Sequence, residues 1–183
     1  VSIVNTLTDS IIGKILRFNK ACGAAFAPNG KYAYITNNGN NTVSIVNTAT
    51  NSIINTIKGF NGPCGIAFAP NSVYAYITND GNNTITIINT ATNSIINTIK
   101  GFNIPKGIMI APNNKYAYVT NSNNSTISII DIATNSIIGT ITGFSGPEGV
   151  AISPNGAYAY VVNSGTGTVS IVNTATNSIV NTI

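Results

Sequence analysis

A repeat of 42 residues runs through the whole chain and constrains its fold more than any other feature. Four prolines, four glycines and four tyrosine pairs each recur at this spacing: Pro28, Pro70, Pro112 and Pro154; Gly23, Gly65, Gly107 and Gly149; Tyr32/Tyr34, Tyr74/Tyr76, Tyr116/Tyr118 and Tyr158/Tyr160. The stretch 47–61 is identical to 89–103, and no insertion breaks the register. A fixed period of this length indicates repeated structural units that pack on their neighbours.

Each repeat contains four short apolar runs separated by turn residues. In the second copy the runs are 65–69, 74–78, 84–89 and 94–99, and the first turn is at 70–72. Such short turns join antiparallel strands, and runs that are apolar on both faces predict a sheet covered on both sides. The sequence therefore predicts an all-β fold, a β-propeller of four-stranded antiparallel blades. The alternative is a β-solenoid, whose coils do not need four hairpin-type turns in each period.

The front and back halves of the repeat occur in unequal numbers. The front half, which reads Gly-x-Ala-Phe-x-Pro followed by Tyr-x-Tyr in the first two copies and varies in the others, occurs four times. The back half, which reads Val-Ser-Ile-Val-Asn-Thr in three copies and is followed by Ile-Ile or Ile-Val, occurs five times. We predict one propeller domain or propeller fragment over 1–183, with a spare outer hairpin at 1–15 and repeats at about 16–57, 58–99, 100–141 and 142–183.

Three arrangements account for the spare hairpin at 1–15. The chain is a piece of a longer propeller, a four-bladed ring with the hairpin left over, or an open array that assembles with other copies. An unpaired strand edge invites pairing with another chain. The last two arrangements therefore predict self-association, as a dimer or a filament, through strand edges that include residues 1–15.

The second strand carries a recognisable motif. It reads Tyr-Ala-Tyr-Ile-Thr-Asn at 32–37 and 74–79, Tyr-Ala-Tyr-Val-Thr-Asn at 116–121 and Tyr-Ala-Tyr-Val-Val-Asn at 158–163, where Val162 replaces the threonine. Pro-x-Gly-x-x-x-x-Pro-Asn precedes it at 63–71, 105–113 and 147–155. Over its whole length the chain resembles the YVTN-type β-propeller repeat of archaeal and bacterial surface-layer and secreted proteins. The resemblance implies an extracellular or cell-surface propeller that is usually noncatalytic.

Because the blades are nearly identical, only positions at which the copies differ can form a site that is not repeated in every blade. The clearest such position, just before the first strand, holds Cys22, Cys64, Lys106 and Glu148. Because the innermost strands surround the axis, these residues are expected at one mouth of the channel. We predict a Cys22–Cys64 disulfide, which suits an oxidising compartment, and a Lys106–Glu148 ion pair. The alternative is two free cysteines. Without histidine or a carboxylate cluster, no metal site is expected.

Glycosylation acceptor patterns follow the second strand in three copies. The candidate asparagines are Asn40, Asn82, Asn123 and Asn124, and they predict a glycan-bearing rim. An Asn-rich turn in an Asn-rich chain also produces such triplets by chance.

The residue composition of the chain argues against several classes of function. The 8 basic residues are dispersed, so we expect no nucleic-acid binding, and no apolar stretch reaches the roughly 20 residues of a membrane-spanning helix. The 4 acidic residues occupy different repeat positions and histidine is absent, so neither an enzyme nor a bound cofactor is expected. The sequence favours a non-enzymatic extracellular structural or adhesive protein that acts through assembly. The alternative is a propeller that binds a ligand or glycan at one mouth of the channel.

Overall fold

The computed structural model describes residues 1–70 and 73–183, which form antiparallel β-strands joined by tight turns. The turn predicted at 70–72 lies partly outside the described residues. Asn38–Asn40 form a 3-10 turn. In the described ranges, no helix combines the length and hydropathy that crossing a bilayer requires.

The strands form a two-stranded hairpin and four four-stranded sheets, each a simple meander. The hairpin consists of β1 (Ser2–Asn5) and β2 (Ser10–Lys14). The first blade contains β3 (Ala21–Phe26), β4 (Tyr32–Asn37), β5 (Thr42–Asn47) and β6 (Ser52–Lys58). The second contains β7 (Pro63–Phe68), β8 (Tyr74–Asn79), β9 (Thr84–Asn89) and β10 (Ser94–Lys100).

The third and fourth blades repeat this order. The third contains β11 (Pro105–Ile110), β12 (Tyr116–Asn121), β13 (Thr126–Asp131) and β14 (Ser136–Ile141). The fourth contains β15 (Pro147–Ile152), β16 (Tyr158–Asn163), β17 (Thr168–Asn173) and β18 (Ser178–Thr182). Four antiparallel blades and a separate N-terminal hairpin confirm the fold predicted from the repeat.

Asparagine builds the turn between the third and fourth strands of each blade. In the first blade the Asn47 side-chain oxygen accepts hydrogen bonds from the backbone N–H groups of Ala49 and Thr50, at 2.9 and 3.1 Å. Asn51 then adopts a left-handed φ of 54°, which asparagine tolerates better than most residues. The same turn recurs with Asn93, Asn135 and Asn177 at φ of 55°, 54° and 51°. The Asn-rich composition therefore has a local structural role.

Apolar side chains fill the space between neighbouring blades. We call the face that contacts the following blade the forward face, and the opposite one the rear face. On the forward face of the first blade, Tyr34 and Ile45 pack with Ile66, Phe68 and Ile77 on the rear face of the second. Equivalent clusters join the second blade to the third and the third to the fourth. The second and third blades therefore pack on both faces, and their strands are apolar on both.

The first strands lie nearest the axis. Strand β7 contacts both β3 and β11, and β11 also contacts β15, whereas no comparable contact joins β15 to β3 among the described residues. The forward face of the fourth blade is open, so Tyr160 is 42% exposed while the equivalent Tyr76 is fully buried. The four blades therefore form an open arc and not a closed four-bladed ring.

Candidate active site

The four residues at which the copies diverge meet on the axial side of the arc. Cys22, Cys64, Lys106 and Glu148 each stand second in an innermost strand. Together with the following glycines, Gly23, Gly65 and Gly107, they line a depression of about 330 Å³. We call this depression the axial mouth. It gathers chemically different side chains from all four blades at one place.

A threonine and a glycine set the close spacing of the inner strands. In the second blade the Thr78 hydroxyl accepts a hydrogen bond from the Gly65 N–H at 2.7 Å and donates to the Lys106 carbonyl of the next blade at 2.7 Å. A Cβ on Gly65 would collide with that same carbonyl. Thr36 and Thr120 make the equivalent bonds to the carbonyls of Cys64 and Glu148, at 2.6 and 2.7 Å. The backbone of the mouth is thus fixed by repeated bonds between blades.

A disulfide joins the first two blades at the mouth. The sulfur atoms of Cys22 and Cys64 are bonded at 2.00 Å, and their Cα atoms are 4.9 Å apart. Cys22 is exposed and Cys64 is half-buried. The bond closes a loop across strands β3 and β7, so it constrains the relative position of two blades.

The partner of Lys106 is Asp80 and not Glu148, which the sequence analysis had expected. The Lys106 ammonium donates to the Asp80 carboxylate at 2.6 Å, and Asn38 donates to the other carboxylate oxygen at 3.4 Å. The loop that carries Asp80 folds back against the linker before β7, since the backbone N–H of Asp80 bonds the Gly62 carbonyl at 3.0 Å. This fold brings the carboxylate to the mouth.

Asp80 is the residue of the candidate site that the sequence analysis missed. Its position holds Asn38, Ser122 and Ser164 in the other copies, so the divergence criterion that selected Lys106 would also have selected Asp80.

The acids of the chain have different surroundings. Glu148 is exposed at the mouth and forms no ion pair within 1–70 and 73–183. Asp131 belongs to an outer turn, where its carboxylate accepts bonds from the backbone and hydroxyl of Thr134 at 2.9 and 3.1 Å. The backbone bond from Thr134 is the largest cause that lowers the Asp131 pKa. Asp9 is exposed in the turn of the N-terminal hairpin. Glu148 and Asp80 are therefore the carboxylates available at the mouth.

The glycosylation candidates lie in exposed loops after the second strands. The candidate asparagines Asn40, Asn82 and Asn124 accept bonds from Thr42, Thr84 and Thr126, at 2.9, 2.8 and 2.9 Å. Asn123 donates to the Asn103 side chain at 2.9 Å. The Asn-x-Thr spacing thus has a role in the turn itself, and glycosylation stays a prediction.

A larger cleft lies outside the mouth, between the second and third blades. Its volume is about 520 Å³, and it is lined by Tyr74, Ile96, Asn97, Asn114, Ile132 and Asn135, among others. It offers no lysine, arginine or carboxylate. No group of three or more metal-ligating side chains occurs in the described part of the chain. The axial mouth, with its ammonium and carboxylates, is therefore the candidate site for chemistry.

Known solved structures share this fold. The chain superposes on hydrazine synthase of Kuenenia stuttgartiensis with a TM-score of 0.84 and 23% identity, over 94% of this chain and 52% of that one. It matches a putative 6-phosphogluconolactonase of Bacteroides uniformis with a TM-score of 0.75 and 18% identity, over 89% and 54%. For the dihydro-heme d1 dehydrogenase NirN the TM-score is 0.76 and the identity 12%, over 100% and 40%. The chain spans about half the length of these structures. No curated protein matches it.

The sequence comparison corrects the functional expectation. The model of the seven-bladed β-propeller lactonase family matches residues 23–142, which is more than half of the chain. A lactonase is an enzyme, so the expectation of a non-enzymatic structural or adhesive protein, with its surface-layer and filament roles, was wrong. The error came from judging the acids by their repeat positions, although the structure brings Asp80 to the mouth beside Lys106. The chain belongs to the family of seven-bladed β-propeller lactonases.

Proposed function

We propose that the axial mouth is the active site of a hydrolase that opens a small cyclic ester. Within the lactonase family, the Tyr-Ala-Tyr-Ile-Thr-Asn strands at 32–37 and 74–79 support membership of the group with YVTN-type repeats. The observation that carries the proposal is the convergence of Lys106, Asp80 and Glu148, three of the few charged side chains, in and beside one depression.

Glu148 has the chemistry of the general base in this reaction. Its carboxylate is exposed at the mouth, where it takes a proton from a water molecule that attacks the lactone carbonyl. A bond forms between the water oxygen and the carbonyl carbon, the ring C–O bond breaks, and the ring oxygen takes up the proton. The product is an open-chain hydroxy acid.

Lys106 supplies positive charge to the same reaction. Its ammonium is held by Asp80 at 2.6 Å and keeps a side-chain exposure of 31%, so it still faces solvent in the mouth. An ammonium there stabilises the oxyanion that develops on the carbonyl oxygen.

Lactone hydrolysis by variants of the mouth tests this proposal. With glucono-δ-lactone and 6-phosphogluconolactone we expect turnover above the spontaneous rate, followed by the acid released at constant pH. Glu148→Gln should lower kcat/KM by about 100-fold or more, because a general base contributes at least that much. Lys106→Met should also impair catalysis, because it removes the ammonium that stabilises the oxyanion.

Matched controls leave the mouth untouched. Asp9→Asn removes a carboxylate from the exposed hairpin turn, and Lys115→Met removes an exposed ammonium from another turn. Both variants should keep the rates of the unchanged protein. Hydrolysis no faster than in buffer, or equal rates for Glu148→Gln and Asp9→Asn, would contradict the proposal.

The Cys22–Cys64 disulfide supports an oxidising compartment for this enzyme, in line with an extracellular or cell-surface location. Counting thiols in the denatured protein purified from its natural source under alkylating conditions tests this, since a protein from a reducing compartment would yield two.

A further inference from the structure

The cleft between the second and third blades contains two positions at which the third copy departs from the repeat. We call this space of about 520 Å³ the interblade cleft. Position 114 is asparagine, whereas the other copies have Gly30, Ser72 and Gly156. Position 132 is isoleucine, whereas the other three copies have threonine. Because Asn114 and Ile132 both line the cleft, its surface is particular to this one interface.

The isoleucine removes a hydrogen bond that other copies make. In the first copy the Thr48 hydroxyl donates to the Gly30 carbonyl at 2.7 Å, and the fourth copy contains the same bond. Ile132 has no hydroxyl, so the equivalent carbonyl, which belongs to Asn114, loses this donor. The turn itself is kept, because the Ile132 N–H still donates to the Lys115 carbonyl at 2.9 Å. The change therefore frees an acceptor without altering the backbone.

The side chain of Asn114 adds a second acceptor without a partner. Its oxygen is enclosed by protein and forms no hydrogen bond within residues 1–70 and 73–183. Buried polar atoms of folded proteins nearly always have a partner, so this oxygen indicates a donor that the chain itself does not supply. Rotation about the Cβ–Cγ bond turns the oxygen towards the cleft, and this oxygen has no existing bond to lose.

Two other amides supply donors to the cleft. The side-chain oxygen of Asn97 accepts a hydrogen bond from the Thr98 N–H, and that of Asn135 accepts one from the Tyr76 hydroxyl, both at 2.8 Å. With their oxygens engaged, these amides offer their nitrogens as donors. The lining contains no charged side chain, so the polar groups of the cleft suit a neutral ligand.

An aromatic ring and two aliphatic side chains complete the lining. Tyr74 and Ile132 are half-buried, and Ile96 is 50% exposed. The volume of the cleft lies within the range of about 300–1,000 Å³ that small-molecule sites occupy. A pyranose ring matches such a surface, because its C–H faces pack on apolar side chains while the hydroxyls around it both donate and accept hydrogen bonds.

We propose that the interblade cleft binds a neutral pyranoside sugar. One face of the sugar ring packs on Tyr74 and Ile132. Its hydroxyls donate to the free acceptors of Asn114 and accept from the amide nitrogens of Asn97 and Asn135. The lining shares no residue with that of the axial mouth, so this site is separate from the proposed hydrolase and does not depend on it.

Saturation-transfer difference NMR on the full chain tests the proposal with methyl glycosides of glucose, galactose, mannose and N-acetylglucosamine. These probes contain no lactone ring, so a hydrolase at the axial mouth has nothing to open and binding is observed alone. We expect at least one glycoside to bind saturably, with one site per chain.

Two substitutions that restore residues of the other copies should weaken this binding and keep the fold. Asn114→Gly introduces the glycine of the first and fourth copies, which suits the left-handed φ of 57°. It should weaken binding about tenfold, as the loss of a hydrogen bond does. Ile132→Thr should weaken binding about threefold or more, because the new hydroxyl occupies the carbonyl of residue 114.

Asn97→Gly and Asn55→Gly form a matched pair. Both asparagines are exposed on the outermost strand of a blade, and each accepts a bond from the next backbone N–H at 2.8 Å. The third blade has Gly139 at the same position, so glycine fits there. Only Asn97 lines the interblade cleft. Asn97→Gly should therefore weaken binding about threefold or more, and Asn55→Gly should bind as the unchanged chain does.

Three results would overturn the proposal. The first is the absence of saturable binding for all four glycosides, and the second is equal affinity in the Asn97→Gly and Asn55→Gly chains. The third is loss of binding in Glu148→Gln, which would place the sugar at the axial mouth. Retained binding in Glu148→Gln supports the proposal whether or not the protein hydrolyses lactones.

Discussion

A single threonine hydroxyl links each blade to the next at the axis. Thr78 is fully buried, and its hydroxyl satisfies one backbone N–H and one carbonyl from two different blades. Val162 takes the place of this threonine in the fourth blade, whose forward face contacts no further blade among the described residues.

Replacing Thr78 with valine should destabilise the protein although the volume of the side chain hardly changes. The substitution leaves the Gly65 N–H and the Lys106 carbonyl without this partner, and an unsatisfied buried group costs about 1–3 kcal/mol. Urea unfolding at pH 7 measures the loss. Thr98→Val is the control, because Thr98 is exposed on a strand and its loss should stay within about 0.5 kcal/mol. Equal losses in the two variants would show that the hydroxyl does not hold the blades.

At the scale of strands and turns, the sequence predicted most of what the structure contains. Each strand repeats four times or more with the same turn residues, so accidental patterns in one copy are averaged out. The pairing of Cys22 with Cys64 followed from their equivalent places on adjacent inner strands. The strands, the turns and this pairing could be predicted because they depend only on local residue chemistry and on the repeat period.

The partner of Lys106 could be identified only from the folded loop. Asp80 lies 26 residues before Lys106 at a different repeat position, so the period gave no reason to pair them. Its approach depends on the backbone bonds of Asp80 and Gly81 to the linker carbonyls of Gly62 and Asn61, at 3.0 and 3.2 Å. The same backbone bond recurs from Asn38, Ser122 and Ser164 in the other copies, so the loop fold is periodic and only the carboxylate is particular to the second copy.

The disulfide should stabilise the contact between the first two blades. It closes a loop of 42 residues, for which constraint of the unfolded chain predicts a contribution of about 2–4 kcal/mol. We expect the free energy of unfolding of the Cys22→Ser/Cys64→Ser double variant to be lower by that amount. Its urea midpoint should therefore also be lower. Adding a reductant should lower the midpoint of the unchanged protein and leave that of the double variant where it is. A reductant effect on both proteins would point to a cause other than this bond.

At the scale of the whole arc, three buried tyrosines make the stability of the interfaces between blades dependent on pH. Burial raises the pKa of Tyr76 to about 12, and the adjacent Tyr74 adds to the shift. Burial also raises the pKa of Tyr34 and Tyr118, with smaller contributions from Tyr32 and Tyr116. Each of the three hydroxyls donates to an asparagine of the next blade. All three interfaces between complete blades therefore depend on a neutral tyrosine.

The sign of the pH dependence follows from these raised pKa values. An unfolded tyrosine loses its proton near pH 10, whereas the folded form of Tyr76 keeps it until about pH 12. The stabilising contribution of Tyr76 is therefore complete below pH 10 and is lost as the pH rises from 10 through 12, by at most about 1.4 kcal/mol per pH unit. We expect the midpoint of urea unfolding to fall steeply across this range.

Tyr76→Phe separates this effect from general alkaline damage. At pH 7 the variant should lose about 1 kcal/mol, because the 2.8 Å bond to Asn135 is gone. Between pH 10 and 12 its stability should decline less steeply than that of the unchanged protein, because one raised pKa has been removed. Tyr158→Phe, at a site that is 40% exposed, keeps all three buried tyrosines and should retain the steep decline. If Tyr76→Phe declined as steeply as Tyr158→Phe, alkaline unfolding would have to arise from groups outside the blade interfaces.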